Sequence, residues 1–136
     1  MMNLRKSSKK QAKIKLALQG CAGSGKTYSA LLLAYGLCND WTKIAVIDSE
    51  NGSADLYAHL GSYNVLSLNE NFTPETYMEA IKVCEDAGME VIIIDSISQC
   101  WDNLLEYHAK LQGNRFTNWL KITPRMKSFM QKILQS

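Results

Sequence analysis

No apolar run in this 136-residue chain approaches the roughly 20 residues needed to cross a bilayer. The opening Met1-Met2-Asn3-Leu4-Arg5-Lys6 leads into charge rather than into the apolar core of a signal peptide. A cytoplasmic protein with no membrane partner is therefore expected. The cysteines Cys21, Cys38, Cys84 and Cys100 lack C-x-x-C spacing, which argues against a disulfide framework or a zinc site. His59 and His108 have no companions at metal-ligand spacing, so each is expected at the surface or in helix packing. Acid is absent from residues 1–15, where Arg5, Lys6, Lys9, Lys10, Lys13 and Lys15 give +6. The remainder, with nine basic and thirteen acidic residues, stands at −4. An arm of that kind touches nucleic acid or another subunit, or is a solvated terminus, and the last is the commoner outcome. With 46% hydrophobic residues, the length suits one domain with a real core and not two.

What is present begins at Gly20-Cys21-Ala22-Gly23-Ser24-Gly25-Lys26-Thr27, which fits G-x-x-x-x-G-K-[ST] without a gap. The glycines of such a loop let successive backbone N–H groups converge on a triphosphate, Lys26 reaches the outer phosphates, and the Thr27 hydroxyl is a ligand for Mg²⁺. The free N–H groups and positive dipole end of the next helix, expected over Tyr28 to Cys38, reinforce the anion site. An apolar run from Ile14 to Leu18 is expected as the strand that leads into the loop.

Beyond that helix, Lys43 to Asp48 reads as a buried strand ending in acid, and a short helix is expected over Asp55 to Leu60. Asn64 to Leu68 gives a weaker strand. Thr73-Pro74 opens a helix, Thr73 as N-cap and Pro74 at the first helical position, with Gly88 ending it. Val91-Ile92-Ile93-Ile94-Asp95 is continuously apolar up to its closing acid, as a strand covered on both faces should be. Helices over Ser98–Leu111 and Pro124–Leu134 follow, separated by the polar stretch Gln112-Gly113-Asn114-Arg115. Strands alternating with helices imply an α/β fold with a mainly parallel sheet between helical layers, and ligands of such sheets bind beyond the carboxyl ends of the strands. The phosphate loop, Asp48 to Glu50, and Asp95-Ser96 all fall at such ends.

Four apolar residues followed by Asp95 make a Walker B signature, in which the carboxylate meets Mg²⁺ opposite Thr27. Many ATPases carry a glutamate directly after that aspartate, but here the position is Ser96, expected to bond the attacking water or Asp95, or to cap the next turn. Glu50 becomes the candidate catalytic base, the alternative being an exposed loop acid.

Ile47-Asp48-Ser49-Glu50, followed by Asp55-Leu56-Tyr57-Ala58 and Leu60-Gly61, resembles RecA-type recombinases in the segment after the second core strand. The similarity covers about residues 14–100, judged by motif and spacing, and is nearest to the compact AAA-type ATP-binding proteins of phages and mobile elements. It implies a RecA-like P-loop core over residues 14–136 with a basic arm over 1–13. It also implies that Glu50 activates water with Lys26 on the phosphates, and that Tyr57 stacks on adenine, whereas a core aromatic is the plainer role for Tyr57. Tyr28 closes the loop's contact set. ATP and Mg²⁺ are the implied cofactors; single-stranded DNA, recombination proteins and a homo-oligomer are the implied partners. ATP over GTP rests on the resemblance and on the lack of an [NT]-K-x-D motif.

RecA-like cores continue with a strand between the phosphate-loop strand and the Walker B strand, bearing a polar sensor of the γ-phosphate, and nothing in this sequence matches it. A fragment of a longer product is expected, the alternatives being that the two flanking strands pair directly or that another chain fills the gap. The tail interleaves Trp101, Tyr107, Phe116, Trp119 and Phe129 with Lys110, Arg115, Lys121, Arg125, Lys127 and Lys132. That composition suits single-strand binding or, more commonly, an amphipathic layer packed on the sheet. Three functions remain open: an Mg²⁺-dependent ATPase serving DNA recombination, repair or annealing; a small-molecule kinase, for which only Arg115 and Arg125 are available as lid arginines; and a nucleotide-binding interaction module without catalysis.

Overall fold

Five consecutive buried residues, Ile44–Asp48, form strand β1 at the centre of a three-stranded sheet. The computed structural model describes residues 2–7, 14–20, 24–50 and 52–135. Strand β2 (Asn64–Ser67) lies on one side of β1 and β3 (Val91–Asp95) on the other, both parallel to it. Side chains alternate between faces with period two. Ala45, Ile47, Ile92 and Ile94 enter one core cluster, and Ile44, Val46, Val91 and Ile93 enter the other. Because both faces are covered, the strands need no polar alternation, and their apolar continuity follows.

The second cluster is closed by helix α1 (Lys26–Cys38), through Leu31 and Ala34, and by Trp41, Tyr57 and Leu60. The first is closed by α2 (Pro74–Asp86), α3 (Ser98–Lys110) and α4 (Arg115–Gln135), through Tyr77, Ile81, Cys100 and Phe129. Helices on both faces of a parallel sheet make the α/β P-loop fold that the sequence implied. Thr73 caps α2 by accepting the Thr76 N–H at 3.2 Å, with Pro74 at the first turn. Helix α4 is tied to α2 by Arg125–Glu75 at 2.7 Å and Lys132–Glu85 at 2.8 Å.

Three expectations are corrected. The run from Ile14 to Leu18 is not a strand: residues 14–20 have no regular structure, and Ile14 and Leu16 are 61% and 65% exposed. A strand needs a ladder to satisfy its backbone groups. The resemblance places another strand between this run and β3, and no described segment occupies that place. The segment expected as a helix over Asp55 to Leu60 is a 3₁₀ segment, Ser53–Leu60, kinked at Tyr57. Eight residues are too few to sustain an α-helix by themselves, and the tighter turns still bring Tyr57 and Leu60 to the core. Finally, α4 starts nine residues before the expected Pro124 and carries that proline inside it. Asn114 supplies the start: its side-chain oxygen accepts the Phe116 N–H at 2.8 Å and its carbonyl accepts the Asn118 N–H at 3.0 Å. Buried Ile122 and Phe129 hold the helix on either side of the proline, whose missing donor costs one rung. Of the basic arm expected over 1–13, residues 2–7 are exposed without regular structure, and residues 1 and 8–13 lie outside the described residues.

Candidate active site

The register of β1 on β3 sets Asp48 beside Asp95 at the carboxyl end of the sheet. Asp48 is 1% exposed, and its Oδ1 accepts the Glu50 N–H at 2.8 Å, turning the chain out of β1. Asp95 Oδ2 accepts the Thr27 hydroxyl at 2.6 Å. That contact joins residues 68 apart in sequence, the first turn of α1 and the end of β3. It places the two expected metal ligands together.

The loop before α1 depends on two glycines. Gly25 has φ of 87°, a conformation that side-chain-bearing residues rarely adopt, and a Cβ on Gly20 would come within 2.6 Å of Ser24 Oγ. Lys26 spans the loop, its ammonium donating to the Gly20 carbonyl at 2.7 Å. Cys21, Ala22 and Gly23 lie outside the described residues. Tyr28, on the first turn of α1, has its ring 5.8 Å from that of Tyr57, tilted by 51°. Tyr57 is half-buried against the α1-side core, so it meets the plainer expectation of a core aromatic while lying beside the loop's C-terminal end.

Glu50 is exposed and follows the buried Ser49. Among the described residues no hydrogen bond joins its carboxylate to Thr27 or Asp95; it shares their end of the sheet without a bond to either. What links the two strand ends is a polar network that the sequence did not disclose. The Ser49 N–H donates to the Asp95 carbonyl at 2.9 Å, and Ser49 Oγ accepts the Ser96 N–H at 2.9 Å. The single Ser49 hydroxyl proton faces the Ser96 carbonyl at 2.9 Å and Gln99 Oε1 at 3.0 Å. Ser96 Oγ donates to the same Gln99 oxygen at 2.7 Å, a side-chain contact that caps no backbone group of α3. Tyr77, fully buried on α2, donates its hydroxyl to the Ser96 carbonyl at 2.9 Å. Burial pushes the Tyr77 phenol up, so its hydroxyl stays a donor. Nothing local in the sequence pointed to this network, whose members come from the end of β1, α2 and the start of α3.

Thr27 and Asp95 are hard oxygen donors suited to Mg²⁺. Among the described residues there is no group of three His, Cys, Asp or Glu side chains that would hold a metal without substrate. This is the donor set expected where phosphate oxygens complete the coordination. The aromatic tail is partly buried and partly exposed. Phe129 is buried against Tyr77 with ring centroids 5.5 Å apart, whereas Phe116 is 86% exposed. His108 stacks on Trp119, as a helix-packing histidine should. No helix among the described residues is long and apolar enough to cross a membrane.

A family model described as an AAA domain, an AAA-type P-loop ATPase family, matches residues 12–136. No curated protein and no solved structure matches the chain.

Proposed function

The chain belongs to the AAA-domain family, and from that premise we propose that it binds Mg·ATP and hydrolyses it to ADP and phosphate. The observation that carries this reading is the 2.6 Å contact of Thr27 with Asp95, which joins the phosphate loop to the Walker B strand. The backbone N–H groups of Gly20 to Thr27, Cys21, Ala22, Gly23 and Ser24 included, would cradle the phosphates. Lys26 would exchange its bond to the Gly20 carbonyl for the outer phosphates. Thr27 and Asp95 would hold Mg²⁺, whose chemistry when bound is to neutralise charge developing on the phosphate oxygens. Glu50 would accept a hydrogen bond from water and hold it in line with the γ-phosphate, since a metaphosphate-like transition state leaves the protein mainly positioning and electrostatics to supply. Tyr28 and Tyr57 offer a tilted aromatic pair beside the loop, with Tyr57 as the adenine contact.

The RecA-like resemblance of residues 14–100 supports a finer role in DNA recombination, repair or annealing for a phage or mobile element. Single-stranded DNA, recombination proteins and further copies of the chain would be its partners. One observation favours a second reading, nucleotide binding without turnover: among the described residues no segment takes the sensor strand's place at the outer edge of β3. Glu50→Gln separates the two. The ATPase reading expects that variant to keep its affinity for Mg·ATP while phosphate release falls about 100-fold or more. Unchanged hydrolysis would remove Glu50 from the mechanism, and tight binding without turnover in the unaltered chain would establish the second reading.

A further inference from the structure

The corner between α3 and α4 carries an aromatic array that the nucleotide site does not use. Trp119 stacks on His108 at 3.9 Å between ring centroids with planes 22° apart, and on Trp101 at 6.3 Å with planes 18° apart. Three near-parallel rings thus run along α3, and Trp101 remains 41% exposed. On α4, Phe116 lies on one stripe with Trp119 and Leu120, at spacings of three and four. Phe116 and Leu120 are 86% and 74% exposed, so the stripe is wet where a core-facing one would be covered.

Charge on α4 has one sign. From Gln112 to Ser136 the chain carries Arg115, Lys121, Arg125, Lys127 and Lys132 and no acid. Arg125 and Lys132 are engaged by Glu75 and Glu85 of α2, but Lys121 and Lys127 are exposed and form no ion pair among the described residues. The acids of α3, Asp102 and Glu106, lie four apart on a different stripe from Trp101 and His108, and Glu106 lines the cleft that holds Arg125 and Thr73.

We infer that this α3/α4 corner is a single-stranded nucleic-acid surface, with unpaired bases stacking on Trp101 and Phe116 and the phosphates held by Lys121 and Lys127. It gives a location to the single-stranded partner proposed above. Exposed rings together with a helix whose charges are all cationic match the two repeating chemistries of a single strand, a π-face and a phosphate. A duplex keeps its bases inside the stack and offers these rings no free π-face. A membrane surface would engage Trp, Phe and Leu beside lysines as well, so the test below sets vesicles against the oligonucleotide. The surface lies on elements outside the phosphate loop, so it and the nucleotide site fail or hold independently.

The test is the affinity of the full chain for a labelled oligothymidylate, by fluorescence anisotropy across a salt series, without nucleotide. Phe116→Ala, at a position with little packing to lose, is expected to weaken binding about 5-fold or more, and Trp101→Ala similarly. The pair Lys121→Gln and Lys127→Gln should lower the salt slope by about 0.7 for each lysine. Lys26→Ala should bind the oligonucleotide as the unaltered chain does, even if it no longer binds ATP. Heparin binding as tight as oligothymidylate with Phe116→Ala silent, or binding to phosphatidylserine vesicles with no oligonucleotide binding, would overturn the assignment. So would an absence of any binding at low salt.

Discussion

At the scale of single residues, the site is organised by contacts between groups far apart in sequence. Lys26→Ala removes the only ammonium in the phosphate loop and should abolish measurable Mg·ATP binding, as read by isothermal titration, with the unfolding midpoint little changed. Tyr77→Phe deletes a hydroxyl whose partner, the Ser96 carbonyl, also receives the Ser49 hydroxyl. It should cost about 1–3 kcal/mol in urea unfolding, towards the lower end because that second donor remains. Burial raises the Cys84 thiol and pushes Cys100 up to about 11. A thiol reagent at neutral pH should therefore leave Cys84 and Cys100 unmodified until denaturant is added, as peptide mapping would show. The meeting of Thr27 with Asp95 was legible because each belongs to a motif with fixed spacing. The Ser49–Ser96–Gln99–Tyr77 network was not, since Ser49 meets Ser96 and Gln99 across 47 and 50 residues and no local pattern specifies such a pairing.

At the scale of elements, α4 shows both what a pattern reveals and what it hides. Pro124 suggested a helix start because proline is welcome at a first turn. The structure begins the helix at Asn114's cap instead, and the signal was present in the polar stretch read as a loop. Burial on α4 recurs at Asn118, Ile122 and Phe129, so the helix is held by packing on α2 and α3 more than by propensity. Phe129→Ala should accordingly cost about 3–5 kcal/mol in chemical unfolding. The link from Arg125 to Glu75 is pH-dependent. The Arg125 hydrogen bonds hold the Glu75 carboxyl below its ordinary range. A lowered folded-state pKa means that this stability is present above the unfolded value and is lost as pH falls through the folded one. Both side chains are partly exposed, 30% and 53%, so solvent screening keeps the effect under about 1 kcal/mol. Urea midpoints of the unaltered chain and Glu75→Gln should differ slightly at pH 7 and converge as the pH falls below about 4.

At the scale of the whole molecule, the parallel sheet and its helical layers followed from alternation of apolar runs with helical patterns. The strand before the phosphate loop did not, because an apolar run specifies a strand only where a neighbour offers a ladder, and the outer edge of β3 has no partner among the described residues. The charge distribution belongs to this scale too. Residues 1–15 and 112–136 hold eleven of the fifteen basic residues and none of the thirteen acidic ones, which leaves the sheet and α1 to α3 strongly acidic. Association with a polyanion should therefore depend steeply on salt, while association with ATP, held mainly by backbone N–H groups and one lysine, should depend on it far less. The measurement that bears most directly on the central claim is phosphate release from Mg·ATP by the unaltered chain beside Lys26→Ala, with and without single-stranded DNA. The account predicts turnover that disappears with Lys26 and with removal of Mg²⁺. Phosphate release that persists in Lys26→Ala, or an unaltered chain that neither binds nor hydrolyses Mg·ATP, would contradict it.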